Sequence, residues 1–167
     1  PLHATVNSWR EWYRQYPGTK VLNLPRTAKG FTKKIYSNPR RFCAGLVHKG
    51  IARAWSFDTL LRNCCLNDEV AGDPILVYFD RTTTRFAVWS RTLDRDVLKF
   101  RSARSGLLED EKTASLFDAL TEHCKEGKFK GQNLTALPAI ISYSRAWKVF
   151  HPDGTFFPSN LRNGRRK

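Results

Sequence analysis

The sequence contains no methionine, only four cysteines and four histidines, and no long uncharged apolar run. Its short apolar runs predict neither a membrane-spanning helix nor the hydrophobic region of a signal peptide. No C-x-x-C pair, P-loop, G-x-G-x-x-G, G-x-S-x-G or H-E-x-x-H motif occurs in it. The histidines also lack metal-ligand spacing. The sequence therefore predicts no bound cofactor and no metal ion.

Acidic residues are scarce as well: 15 Asp and Glu stand against 29 Lys and Arg, for a formal net charge of +14. Residues 1–50 carry ten basic side chains and one acidic one, whereas residues 51–110 carry nine of each. A basic cluster closes the chain, namely Arg162, Arg165, Arg166 and Lys167. This cluster is a candidate polyanion-binding segment, and non-specific binding of nucleic acid or another polyanion is the alternative function. The simpler interpretation is a solvated, disordered tail.

The cysteines are Cys43, Cys64, Cys65 and Cys124. Arithmetic alone allows two long-range disulfides, but the sequence does not assign them. The apolar spacing over residues 57–65 places Cys64 and Cys65 on one face of a predicted helix. We therefore expect these thiols to pack as small apolar side chains and not to react.

Three more helices are predicted from local signals. Ser8-x-x-Glu11 forms a capping box, aromatic residues follow at helical spacing, and Pro17-Gly18 ends the helix. Residues 144–150 form a similar short helix before His151-Pro152. The spacing of Leu116, Leu120 and Cys124 predicts a further helix.

The rest of the chain has the pattern of strands. Lys49-Gly50 predicts a hairpin turn between two strands, and residues 75–79, 85–89 and 97–100 predict an antiparallel meander. A short strand is expected around residues 140–141. The predicted fold class is α+β and β-rich: an antiparallel sheet, or a small partly open barrel, with short peripheral helices. The predicted domain covers residues 43–158, after a closing helix and basic linker (1–42) and before a basic tail (159–167).

Acidic residues near strand ends raise the question of catalysis. Asp68, Asp80 or Asp110 could work with Thr113 or Ser115 in a hydrolase-like reaction. Nothing in the sequence positions a nucleophile beside a base, and turn chemistry is the favoured explanation of the acidic clusters. The run from Asn67 to Pro74 is interpreted as such a turn. The protein is therefore predicted not to be an enzyme.

The two ends of the chain repeat one pattern. Trp12 stands five residues before Pro17, and Trp147 stands five residues before Pro152. An arginine precedes each Trp by two positions, and a turn into an apolar pair follows each Pro. Together with the first residue, which is Pro and not Met, this repeated pattern predicts a fragment of a longer, duplicated protein.

Several stretches together resemble a bacterial and archaeal family, domain of unknown function 3179. The stretches are residues 51–57, 67–80, 107–118, 127–138 and 147–153. The resemblance implies a unit of two related halves, of which the first carries Cys-Pro-Leu-Cys. Residues 79–82 (Phe-Asp-Arg-Thr) replace that motif here, so the chain resembles the second half. Family members are often exported, but the compartment of this chain stays open.

The leading functional hypothesis is a non-catalytic module that packs against, or binds through, a sister half. An exposed apolar face is expected where that half would lie. The candidate ligand or partner site comprises Asp80, Asp110, Thr113 and Ser115. The partner is expected to be the sister half or another protein surface.

Overall fold

A computed structural model describes residues 8–20, 38–83 and 85–157 of the chain. The helices are α1 (Trp9–Gln15), α2 (Phe57–Arg62) and α3 (Ser144–Phe150), with 3₁₀ turns at Pro39–Arg41 and Arg104–Gly106. The strands are β1 (Phe42–His48), β2 (Ile51–Ser56), β3 (Cys65–Val70), β4 (Asp73–Phe79), β5 (Phe86–Ser90), β6 (Thr92–Leu93), β7 (Asp96–Val97), β8 (Phe100–Ser102), β9 (Leu107–Asp110), β10 (Leu116–Asp118), β11 (Cys124–Glu126), β12 (Ala139–Tyr143) and β13 (Thr155–Phe157). The predicted tail and most of the predicted linker lie outside the described residues, so the domain boundaries stay predictions.

The strands form three stacked sheets. The outer sheet has the order β12-β1-β2-β13, the central sheet β3-β4-β5 and the far sheet β11-β10-β9-β8, with a small β6-β7 ribbon besides. Strand pairing is antiparallel except between β2 and β13, which run parallel. One apolar core joins the outer sheet to the central sheet, and a second joins the central sheet to the far sheet. Helix α3 covers the other face of the outer sheet.

Strand β4 explains why the central sheet lies between two cores. Its side chains point alternately to opposite faces: Ile75, Val77 and Phe79 enter the first core, while Leu76 and Tyr78 enter the second. All five are buried. The unbroken apolar run over residues 75–79 is typical of a strand that is buried on both faces.

Tight turns set the register of two hairpins. Lys49 (φ 48°) and Gly50 (φ 80°) both adopt left-handed backbone conformations between β1 and β2, as the predicted hairpin requires. Ala71 and Gly72 do the same between β3 and β4. The turn predicted over residues 67–74 is therefore wrong in extent, because Asp68 lies inside β3 and only two residues turn.

The two terminal helices are confirmed, whereas the helix predicted from Leu116 to Cys124 is wrong. That segment forms β10, a turn, and β11, with Phe117 opposite Cys124 in the register. The Asp118 carboxylate accepts hydrogen bonds from the next backbone N–H groups and so builds the turn. Of the three residues with helical spacing, only Cys124 enters the second core, together with Phe117 and Ala119, while Leu116 and Leu120 are half-buried outside it.

Two other expectations need correction. The helix predicted to include Cys64 and Cys65 ends at Arg62, and Cys65 begins β3. The third strand of the predicted meander divides into β7 and β8, and β8 belongs to the far sheet. The fold is nevertheless α+β and β-rich, built mainly of antiparallel sheets, and no sheet of the described residues closes into a barrel.

Candidate functional site

Helix α3 is held on the outer sheet by one tryptophan. Trp147 is 2% exposed and packs against Cys43 of β1 and Ala54 of β2. A Cβ atom built on Gly45 would lie only 2.3–2.5 Å from three ring atoms of Trp147. The absence of a side chain at Gly45 therefore makes room for the indole. We call this depression, formed by Cys43, Gly45 and Ala54, the glycine notch.

Helix α1 has the same local structure as α3. Each has seven residues and ends at a residue with nearly identical backbone angles: Tyr16 (φ −130°, ψ 70°) after α1 and His151 (φ −132°, ψ 71°) after α3. The N–H of Tyr16 donates to the carbonyl of Trp12, and that of His151 to the carbonyl of Trp147. A second bond closes the next turn three residues on in both cases. The two helices that share a sequence pattern thus share a conformation.

The surroundings of the two tryptophans differ. Helix α1 has no buried residue, and Trp12 is 37% exposed against 2% for Trp147. The other aromatic side chains of this helix segment, Trp9, Tyr13 and Tyr16, are about half exposed. Helix α1 therefore presents an aromatic face that no described part of the chain buries.

A polar pocket lies between α1 and the ends of the central and far sheets. It consists of two gaps of about 520 and 310 Å³, and Arg85 and Leu120 line both of them. The side chain of Arg85 is 7% exposed, and its Nε has no hydrogen-bond partner among the described residues. Its nearest ion-pair partner is the Glu122 carboxylate at 4.0 Å. Burial lowers the pKa of Arg85, while the charge of Glu122 opposes that shift.

Tyr78, near the end of β4, and Asp80, directly after it, both line this pocket. Burial, with the nearby Asp80 charge, raises the pKa of Tyr78 to about 12, so its hydroxyl stays protonated at neutral pH. Asp80 was predicted as a site residue and does line this pocket. Burial alone would raise the pKa of Asp80, but hydrogen bonds from the Thr83 hydroxyl and from the backbone N–H groups of Thr82 and Thr83 lower it. Its carboxylate mainly fixes the turn that follows β4.

The other predicted site residues lie in a separate, buried turn after β9. The Asp110 carboxylate accepts from the N–H of Lys99 (2.9 Å) and from the N–H and hydroxyl of Thr113 (2.9 and 2.7 Å). The hydroxyls of Thr113 and Ser115 are 2.8 Å apart. Asp110 and Ser115 are fully buried. The structure thus brings Asp110, Thr113 and Ser115 together, no described hydrogen bond links them to Asp80, and their role in binding stays a prediction.

Asp68, the remaining carboxylate of the hydrolase hypothesis, joins two sheets. It accepts two hydrogen bonds from the Arg53 guanidinium (2.8 and 3.0 Å) and one from the Trp55 indole N–H (2.8 Å). Asp68 lies on β3 of the central sheet, and both donors lie on β2 of the outer sheet. A bidentate, largely buried pair of this kind locks the sheets together.

All four cysteines are free. Cys43 and Cys124 are buried, and burial raises the pKa of the Cys43 thiol to about 11 and that of Cys65 to about 12. In the part of the chain that is described, no group of three His, Cys, Asp or Glu side chains could hold a metal ion. No helix within it is long and apolar enough to cross a membrane. The predicted polyanion site at Arg162–Lys167 lies outside the described residues.

Sequence reasoning did not identify Gly45 or Arg85. Gly45 lies within the apolar run of β1, where it has no local signal of a packing role. Arg85 immediately precedes the apolar strand β5, and a lone charge beside a buried strand was the one available signal.

Comparison with known proteins finds one family. The family model described as "Protein of unknown function (DUF3179)" matches residues 31–166. Searches of curated proteins and of solved structures find no match to this chain. The match covers every strand of the three sheets and the helix that fills the glycine notch.

Proposed function

Starting from the fact that this chain belongs to the DUF3179 family, we propose that it is a non-catalytic module that packs against a sister unit through α1. The contrast between Trp12 and Trp147 is the observation that supports this proposal. Two helices share one sequence pattern and one conformation, yet only α3 has its tryptophan in a notch. In the proposed assembly, α1 covers the outer sheet of the sister unit as α3 covers the outer sheet here.

Packing energetics favour such a contact. A seven-residue helix is marginal on its own and needs tertiary packing for stability. Removing a large aromatic side chain from a core costs about 3–5 kcal/mol, which sets the scale of what seating Trp12 would contribute. Trp9 and Tyr13 would extend the same contact. The chemistry required of the sister surface is a strand glycine flanked by small side chains, as Gly45 is flanked here.

The position of α1 on its own unit supports the same conclusion. The larger gap beneath the helix leaves Trp12 and Tyr16 beside open space in place of packed side chains. Side chains that face a solvent-open gap lack packing contacts on that side. Helix α1 therefore gains little stability from the pocket over which it lies.

The non-catalytic part of the proposal rests on how the carboxylates are used. Asp80, Asp110 and Asp118 each accept hydrogen bonds from backbone N–H groups of the turns that follow them. Asp68 is held by Arg53 and Trp55. Carboxylates whose oxygens already accept these hydrogen bonds stabilise turns and join sheets.

A peptide-rescue experiment tests the docking role of α1. The double variant Trp12→Ala/Trp147→Ala of the full chain removes both indoles, so α3 loses the side chain that anchors it to the sheet, and a helix that carries Trp12 can displace it. A peptide of residues 8–20 is then added. At about ten times its Kd, a peptide that binds only the folded state should raise the Tm by roughly 3–6 °C.

The matched control is the same peptide with Trp12→Ala, which should have no effect. Indole serves as a second probe, because it should raise the Tm of the double variant if the emptied notch persists. Stabilisation by indole but by neither peptide would show that α1 does not fit a notch of this kind, and the docking proposal would fail.

A further inference from the structure

An open groove runs along α3 on the side away from the glycine notch. It lies between this helix and the 3₁₀ turn Pro39–Arg41 and has a volume of about 930 Å³. Four cationic side chains line it: Arg40, Arg41, Arg145 and Lys148. We call this region the cationic groove. It shares no lining residue with the pocket beneath α1.

The charges of the groove are uncompensated. No acidic residue lines it, and within residues 8–20, 38–83 and 85–157 none of its four cations forms an ion pair. Some other exposed cations, such as Arg62 and Lys99, pair with a carboxylate, and some do not. The groove differs in that four cations without an ion pair among the described residues line one depression. Because like charges are held together here without counter-charges, the groove is complementary to an anionic surface.

The same region carries the most exposed large apolar side chains of the described chain. Phe150 is 79% exposed and its neighbour Val149 is 71% exposed, both at the end of α3. Tyr143, at the start of the helix, is 52% exposed. Exposed phenylalanine and aliphatic side chains flanked by Lys and Arg, with an amphipathic tyrosine beside them, are the combination that interfacial segments use at lipid surfaces.

We propose that the cationic groove and the Val149–Phe150 tip dock this protein onto the surface of an anionic lipid bilayer. The cations would bind lipid phosphates, and Val149 and Phe150 would enter the boundary between headgroups and acyl chains. A single-stranded nucleic acid fits the geometry less well. Val149 cannot stack on a base, and Tyr143 already packs against Phe42, with ring centroids 4.8 Å apart, and under Arg41.

The test is co-sedimentation of the full chain with vesicles. Vesicles of phosphatidylcholine alone are compared with vesicles that also contain phosphatidylglycerol, and binding is expected only to the anionic ones at physiological salt. Each cation near such a surface contributes about fivefold in affinity. Arg145→Glu/Lys148→Glu should therefore lower the affinity at least 25-fold, and Phe150→Ser should lower it roughly tenfold.

Matched controls distinguish binding through the cationic groove from attraction by the net charge of the whole protein. Arg95→Glu/Lys130→Glu changes the net charge equally at exposed residues away from the groove, and Val97→Ser removes an apolar side chain that is 60% exposed. Both should bind almost as the unmodified chain does. Equal losses in the two charge variants would overturn the proposal in favour of diffuse attraction.

The Val149–Phe150 tip allows a second test, of whether apolar side chains insert into the bilayer. If Phe150→Ser binds anionic vesicles as tightly as the unmodified chain, insertion is excluded. Tighter binding to a single-stranded oligonucleotide than to the vesicles, lost in the Arg145→Glu/Lys148→Glu variant, would assign the groove to nucleic acid. Circular dichroism confirms the fold of each variant, and Val149→Ser replaces Phe150→Ser if the latter unfolds.

Discussion

Gly45→Ala is expected to destabilise the protein by about 3 kcal/mol, although it adds a single methyl group. The added Cβ would lie 2.3–2.5 Å from the Trp147 ring, whereas carbon atoms pack at about 3.5–4.0 Å. One of them must therefore move by about 1 Å. The backbone cannot yield easily, because β1 pairs with Ala54 of β2 on one side and with Ile140 of β12 on the other.

The expected magnitude follows from two limits. Overpacking a core usually costs about 1–3 kcal/mol if the ring shifts in place, and losing a buried tryptophan altogether costs about 3–5 kcal/mol. For a chain of this size, about 3 kcal/mol corresponds to a fall in Tm of roughly 6–12 °C. Urea unfolding followed by circular dichroism gives the free energy, and tryptophan fluorescence reports whether Trp147 becomes exposed.

Gly18→Ala is the matched control. A methyl group added to Gly18 would meet no heavy atom within 4 Å, and this glycine has no left-handed backbone angle, so the change should stay within about 0.5 kcal/mol. In a Trp147→Ala background, Gly45→Ala should cost almost nothing, because the clashing ring is gone. A cost below about 1 kcal/mol for Gly45→Ala, with Trp147 still buried, would refute the argument that glycine makes the notch.

Two further predictions concern buried ionisable groups. Asp68→Asn should lower the free energy of unfolding by about 3–5 kcal/mol, because it leaves Arg53 largely buried without its counter-charge. The control Asp58→Asn breaks an exposed pair and should change that free energy by less than about 1 kcal/mol. Equal losses of unfolding free energy in urea titrations of the two variants would contradict this prediction. The protein should also lose stability at alkaline pH, because burial raises the pKa of Cys43 to about 11 from 9.0. The folded state keeps a proton that the unfolded state releases, so this contribution is complete below pH 9 and is lost between pH 9 and 11, by up to about 1.4 kcal/mol per pH unit. Cys65 contributes a loss of the same sign over this range, because burial raises its pKa to about 12. Cys43→Ala should therefore reduce the slope between pH 9 and 11 without abolishing it, and an unchanged slope would contradict the assignment to Cys43.

Local sequence signals predicted the elements that local interactions determine. The Ser8 side chain does accept a hydrogen bond from the N–H of Glu11, and Lys49-Gly50 does turn the first hairpin. The final helix was predicted with the bounds it has. In each case the determining contacts lie within a few residues, where a pattern in the sequence can reveal them.

The errors occur where distant segments decide the structure. The spacing of Leu116 and Cys124 fits a helix, but pairing of β10 with β9 and β11 holds this segment extended. The stacking of three sheets could not be read from the strands, because the long uniform apolar pattern of β4 does not say which partners cover its two faces. Tertiary context overrides local preference in such cases.

The candidate site likewise has features that local sequence reveals and features that depend on distant segments. The repeated Trp and Pro pattern was visible in the sequence, and it led to the comparison of α1 with α3. The role of Gly45 was not visible, because it depends on a ring more than a hundred positions away in the chain. Arg40 and Arg41 were counted among the basic residues of a linker, and only the fold places them beside Arg145 and Lys148.

The outer sheet also has a consequence for the order in which this protein can fold during synthesis. The ribosome makes the central hairpin, β1 and β2, before either flanking strand, since both flanking strands come from residues after 138. A hydrogen bond across β2 and β13 joins Arg53 to Thr155, and these residues lie 102 positions apart in the sequence. The ribosome must therefore add that whole stretch before the hairpin gains its neighbours. Until then the edges of β1 and β2 remain open to pairing with other nascent chains. Closing so long a loop is slow, so we expect the last strands, and not the early hairpin, to limit the rate at which the native protein forms.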